Sequence, residues 1–251
     1  MRQTTADVPE PLTLAPGSAS VSKAEPTAGA HAVGGVLAVF VALGTMIVLI
    51  ALAVLVLVTP LYIHGALDRA GSPGFLGVTA IEAHALSDAT VGELLFGPGT
   101  FAFPLREGGP DFYDAAEASH LRDARAVLYG LLALGAISAA VLGLGFVRSR
   151  HRPRYWRAIA AGSGVLVVAF VIIGIVFLVA FDAAFTLFHQ VFFAGGNWAF
   201  DFDTQRMVQL YPIPFWQEVT TVLGVIVVIA GSLVWWLARR RARDLEASAP
   251  A

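Results

Sequence analysis

Mostly apolar residues run without a charge through four stretches of the chain: Val33 to Val58, Ala126 to Val147, Ala158 to Phe181 and Val219 to Leu237. Each is close to or above the roughly 20 residues that a helix needs to cross a hydrocarbon core. None carries a charge in its middle, and none leaves a polar face. A helix that is apolar all round belongs in lipid or in the centre of a large core. The first stretch is too long for a signal-peptide core and reads as a retained span. The pattern predicts an all-α membrane protein of four transmembrane helices.

The polar segments between the spans set the expected topology. Arg148, Arg150, Arg152, Arg154 and Arg157 crowd the short link between the second and third spans, and Arg239, Arg240, Arg241 and Arg243 follow the fourth. The positive-inside rule assigns both clusters to the cytoplasm, and with four spans both termini lie there too. The long segments 59–125 and 182–218 then share the extracytoplasmic face, where they are expected to build a small cap. Residues 1–31, rich in Ala, Pro, Ser and Thr, read as a disordered cytoplasmic tail. Residues 32–243 form the membrane domain, and 244–251 a short second tail.

Local signals refine the outer loops. Thr79 to Phe96 has the mixed apolar spacing of a short helix lying on the membrane surface. Gly- and Pro-rich stretches flank it, with a strand pairing expected near Thr100 to Leu105. Asp114 followed by Glu117 is a capping-box start signal, so the second helix is expected to begin at Asp114, some three turns before its apolar run. His120, Asp123 and Val127 then share one face, with His120 about 9 Å above Ala126. The third helix is expected to continue outward through Asp182, Phe185 and His189, which repeat at three and four, until Gly195-Gly196 stops it. Both histidines thus reach the same level at the water–lipid boundary.

Composition narrows the chemistry. Hydrophobic residues make up 57% of the chain and charged residues only 14%, against about 25% charged in soluble domains. Mean hydropathy is +0.73. A formal net charge of −2 excludes nucleic acid as the expected partner and leaves membrane lipid. The chain has no cysteine, which excludes disulfides, thiolate nucleophiles and Cys-ligated metals.

Within those limits, His120 and His189 are the candidate catalytic pair. An acid beside an imidazole fixes its tautomer and raises its basicity, which makes Asp182 the expected support for His189, with Asp123 and Glu117 near His120. Asn197 and Trp198 could donate to an oxyanion. Each also has a plainer reading: the aromatics as an interfacial belt, the histidines as satisfied boundary residues, Asp182 as a side chain at headgroup level. Metal binding by His120, His189, Asp182, Asp201 and Asp203 has little support, since no closely spaced His pair occurs, and no metal or cofactor is expected. A serine hydrolase is disfavoured: Ser119 projects away from the adjacent His120, and no G-x-S-x-G is present. His64 and His84 are expected to be ordinary solvated loop residues, while His31 and His151 fall in the tail and among arginines.

"EASHLRDARAVL" (Glu117 to Leu128), "FTLFHQVFFAGGNWAFD" (Phe185 to Asp201) and "MVQLYPIPFW" (Met207 to Trp216) resemble the lipoprotein intramolecular transacylases, a four-span integral membrane family of Gram-positive bacteria. The likeness extends over all four spans and both outer loops. It implies transfer of the sn-2 acyl chain of a diacylglyceryl-modified lipoprotein to the α-amine of its N-terminal cysteine, giving the lyso-form. It further implies that His120 and His189 form the catalytic centre. From the residues alone, a non-catalytic assembly or lipid-binding protein and a lipid or lipoprotein esterase stand as alternatives.

Overall fold

The computed structural model describes residues 28–193 and 195–249. The disordered tail expected at 1–31 lies outside the described residues up to residue 27. The described residues form α1 (Ala28–Leu57), α2 (Pro60–Ala70), α3 (Ser72–Leu76), α4 (Ala80–Leu95), α5 (Ala115–Ser149), α6 (Pro153–Val179), α7 (Phe181–Phe192), α8 (Arg206–Leu210) and α9 (Ile213–Ala247). Four of them, α1, α5, α6 and α9, are long and apolar enough to cross a membrane.

These four pack through small residues. The most extensive contact is between α6 and α9, and α1 lies against α5, α6 and α9. Gly162 of α6 sits against the backbone of Ala42, Gly135 of α5 against the Ala51 methyl and Gly231 of α9 against Val167. In lipid there is no hydrophobic drive between helices, so close backbone approach at small residues supplies the dispersion contact instead. Large side chains such as Ile175, Leu178 and Ile229 point outward, as a lipid-facing surface requires. At the arginine-rich end, Arg157 of α6 pairs with Glu246 of α9 at 2.6 Å.

At the opposite end, α2, α3, α4 and α8 form the cap. Its core resembles that of a soluble domain: Leu67, Leu210, Phe101, Phe112, Tyr113 and Phe215 are buried together. Polar pairs are sealed inside it, Thr90 Oγ1 with the Tyr113 hydroxyl at 2.7 Å and Ser87 Oγ with the Tyr211 hydroxyl at 3.0 Å. Burial pushes the Tyr211 phenol up to about 12 and that of Tyr113 well above its ordinary value, so both stay neutral donors. The cap is tied to the bundle by directional bonds. Arg69 of α2 grips Glu218 of α9 through two bonds of 3.0 and 2.6 Å. Arg125 and Tyr129 of α5 donate to the Glu93 and Leu95 carbonyls at the C-terminal end of α4, at 2.9 and 2.8 Å, where helix carbonyls lack intrahelical partners.

The expected start of α5 at Asp114 is formed by a reciprocal box. Asp114 accepts the Glu117 N–H at 2.8 Å, and Glu117 accepts the Asp114 N–H at 2.7 Å. Thr79 and Glu82 make the same arrangement at α4. Three features differ from the sequence reading. The expected strand pairing near Thr100 to Leu105 is a single antiparallel bridge, Pro104 with Asp111, because Pro104 has no N–H to extend the ladder. The third span does not run straight to His189: α6 stops at Val179, Ala180 adopts φ −141° and ψ 51°, and α7 restarts at Phe181. Finally, α7 ends at Phe192, before the Gly195-Gly196 pair.

Candidate active site

His120 lies in the second turn of α5 and His189 in the last turn of α7. The box at Asp114 and Glu117 fixes where α5 begins and hence the height of His120. The break at Ala180 re-aims α7, an amphipathic helix whose Ala184 and His189 are buried while Leu187 and Val191 are exposed. The result brings the two imidazoles within 5.9 Å, centroid to centroid, with 22° between their planes. Both are largely buried, at 7% and 8% exposure. Phe193 and Phe200 stand 4.5 and 5.5 Å from the His120 ring, and Phe185 and Trp198 stand 4.1 and 5.0 Å from that of His189. An aromatic collar therefore encloses two basic groups.

The partner that orients His189 is a backbone group. Its Nδ1 donates to the Phe185 carbonyl at 2.7 Å, one helical turn earlier. A carbonyl only accepts, so Nδ1 carries the hydrogen and Nε2 is the free lone pair of the neutral ring. Burial pushes the His189 imidazole below its ordinary range, outweighing the opposite effect of the Phe185 bond. Asp182, expected to do this work, is instead exposed in the first turn of α7, where a carboxylate suits the helix dipole. Residue spacing placed Asp182 and His189 on one face, but seven residues along a helix is about 10 Å, and the ring folds back onto its own preceding turn.

Of the residues expected near His120, Asp123 accepts a bond from Asn197 Nδ2 at 2.8 Å. That bond ties the loop after α7 to α5. Ser119 Oγ meets the same Nδ2 at 3.5 Å, so its known partner is the amide. Glu117, only 1% exposed, receives the Met207 N–H at 2.6 Å as well as that of Asp114. Its carboxylate anchors α8 beside the site and is occupied with backbone donors. The Trp198 ring lies 5.0 Å from that of His189, tilted by 34°. Phe193 and Phe200 were not singled out by sequence, and the density of aromatics between Phe185 and Phe202 was the available signal.

His64 and His84 are not ordinary solvated side chains. Their rings stack at 4.2 Å with 1° between planes, and each Nε2 bonds a carboxylate on the other helix, Asp88 at 2.8 Å and Asp68 at 2.9 Å. The sequence carries H-x-x-x-D twice, on α2 and α4, and crossing the helices pairs them. Asp201 accepts the Asp203 N–H at 3.0 Å and the Thr204 hydroxyl at 3.2 Å within a local turn. Among the described residues, no group of three or more His, Cys, Asp or Glu side chains is placed to hold a metal.

The sequence model of the family described as lipoprotein intramolecular transacylase Lit matches residues 101–216, the stretch that contains α5, α6, α7 and both histidines. Over that stretch the chain is similar to this family. The likeness is to a transacylase, and the chain has four helices long and apolar enough to cross a membrane. Its fold is similar to that in the in meso structure of the membrane integral lipoprotein intramolecular transacylase Lit from Bacillus cereus. The TM-score is 0.72 at 14% identity, covering 87% of this chain and 100% of that one. Two variants of the same Bacillus cereus protein, with one histidine replaced by arginine or by alanine, align with TM-scores of 0.65 and 0.60 at 14% and 15% identity. Each covers 87% of this chain, and 96% and 97% of their own. At such identities the likeness is one of fold. No curated protein sequence matches this chain.

Proposed function

We propose that this chain is a transacylase that moves the sn-2 acyl chain of a diacylglyceryl lipoprotein onto the α-amine of the same molecule's N-terminal cysteine, with His120 and His189 as its general base and acid. The observation that carries this reading is the pair of largely buried imidazoles 5.9 Å apart, supplied by two helices where bundle meets cap. Nucleophile and ester belong to one substrate, so the enzyme needs no covalent nucleophile, and a chain without cysteine is sufficient. What it must do is hold the two reacting groups together, keep the acyl chains in lipid and move protons, each a recognised source of rate. The aromatic collar excludes water that would otherwise compete for the acyl group.

Orientation follows from charge. Arginines at the α5–α6 link and at the end of α9 belong in the cytoplasm, which puts the cap, the histidine pair and the lipoprotein substrate on the extracytoplasmic face of the cell membrane. Cysteines introduced at Pro110 and Asp201 are expected to label from outside the cell, and one at Ser149 only after permeabilisation. Labelling of Ser149→Cys from outside overturns the orientation. Mass spectrometry of lipoprotein N-termini, with and without expression of this chain, tests the reaction. Lyso-form product supports it. Acyl loss without N-acylation shows an esterase, and unchanged lipoproteins show a non-catalytic role.

A further inference from the structure

Four buried side-chain atoms among the described residues have no hydrogen-bond partner, and two of them, His120 Nδ1 and Asn197 Oδ1, lie in this site. Asn197 meets α5 at Ser119 and Asp123, one residue before and three residues after His120, so the two unpaired atoms lie in one site. The way the amide faces is fixed from its other side. Asn197 Nδ2 donates to Asp123 Oδ2 at 2.8 Å and reaches Ser119 Oγ at 3.5 Å. A carboxylate only accepts, so turning the amide over would set oxygen against oxygen. Oδ1 is therefore the atom left for the imidazole, and it too only accepts. A buried acceptor and a buried ring nitrogen that satisfy each other remove two costs at once.

We infer that Asp123 and Asn197 are positioning residues that hold His120 as its Nδ1–H tautomer. This deepens the proposed function and rests on His120 and His189 being the catalytic pair. His189 is held the same way by the Phe185 carbonyl. Neither Nε2 is among the buried unpaired atoms, and with the hydrogen on Nδ1 each neutral ring keeps its lone pair on Nε2. A neutral pair of this kind takes protons and offers none. It recognises an N–H donor, the α-ammonium of the lipoprotein, and becomes a donor to oxygen only after taking a proton from it.

The proton balance then closes. One Nε2 takes a proton from the ammonium and passes it to water. The freed nitrogen bonds to the ester carbonyl carbon, whose π pair moves to oxygen. The other Nε2 takes a proton from the now cationic nitrogen. It hands that proton to the departing sn-2 oxygen as the C–O bond breaks and the carbonyl re-forms. Ammonium and ester become amide, alcohol and one released proton.

The test is 15N NMR of histidine-labelled protein in a membrane mimic, with the His120 signals assigned by loss in His120→Ala. Wild type is expected to show a protonated Nδ1 and a bare Nε2 at His120. In Asn197→Ala, and separately in Asp123→Asn, where the amide is free to turn over, the Nε2–H form should rise several-fold while the His189 signals stay put. In both, kcat for lyso-form production should fall about tenfold, as for one lost orienting hydrogen bond. A wild-type Nε2–H tautomer, variants that leave the tautomer unchanged, or a shifted tautomer with unchanged kcat overturns the proposal. The spectrum is recorded without substrate, so it stands apart from the catalytic reading. If His120→Ala keeps full lyso-form production, that reading fails whatever the tautomer.

Discussion

The bundle turns Ile175, Leu178 and Ile229 outward and keeps glycines where helices touch, whereas the cap hides Leu67, Phe101 and Leu210 and seals tyrosine–hydroxyl pairs among them. One chain therefore solves packing twice, in two solvents. In lipid, large side chains gain little by leaving the solvent, and specificity comes from how closely backbones approach. In water, burial of apolar surface drives the fold, and every polar group taken inside needs a partner. The histidine pair sits at the seam, with His120 carried by a bundle helix and His189 by a short helix that leaves the bundle. Under the proposed function, such a seam suits a substrate that carries both a greasy acyl chain and a charged amine.

The largest expected effect tests whether the seam is where the chemistry is. His120→Ala and His189→Ala should each lower lyso-form turnover by about 10²- to 10⁴-fold, and the double variant should be little worse than the weaker single one, as for groups acting as a unit. Both should extract and melt like wild type, since neither ring lies in the bundle contacts. Burial holds His189 below its ordinary range, so the proton-accepting form persists below the usual imidazole value of about 6.5. Turnover should fall on the acid side only as pH drops through that lowered value. The same shift means the unfolded chain binds the proton more readily, so stability falls as pH drops from about 6.5 toward the folded value. An acid limb at or above pH 6.5 in kcat contradicts this.

Next in size is a contrast between the two solvents. Phe101→Ala empties a buried site in the cap core and should cost about 3–5 kcal/mol. Leu178→Ala, on the outward face of α6, should change stability by less than about 0.5 kcal/mol. Thermal unfolding in detergent reads both, and equal losses would erase the distinction between cap and bundle. Phe101 also holds φ 56°, a region that costs a non-glycine residue strain, and the core contact of its ring outweighs that cost. Smaller again, Gly162→Val forces a branched side chain against the Ala42 backbone and should cost about 1–3 kcal/mol by overpacking. Hydrogen exchange should show the loss along α1 and α6 while cap amides stay protected. The smallest effect is at Asp182. With the Phe185 carbonyl already orienting His189, Asp182→Asn should leave turnover within about twofold, and a loss above tenfold would reinstate the carboxylate as its support.

The four apolar runs, the start of α5 at Asp114 and the α4 helix between Thr79 and Phe96 were legible because each rests on local rules: run length, a capping pair, a helical period. The level of the two histidines was legible for the same reason, since height along a helix is only a count of residues. The break at Ala180 was not. No glycine or proline marks it, and its result is seen only in three dimensions, where α7 buries Ala184 and His189 and brings His189 beside His120. Likewise the stack of His64 on His84 depends on how α2 crosses α4, which neither H-x-x-x-D segment states.

The sequence by itself determined four helices long and apolar enough to cross a membrane, and placed His120 and His189 at one level, because hydropathy and helical rise act along the chain. Only the tertiary structure decided which atoms those rings meet. The Phe185 carbonyl took the place of Asp182, and the amide of Asn197 came to bond Asp123, one turn along α5 from His120. Hydrogen bonds form over about 3 Å and in chosen directions, and a distance that short between residues 74 apart in the chain is set by how the loop after α7 packs on α5.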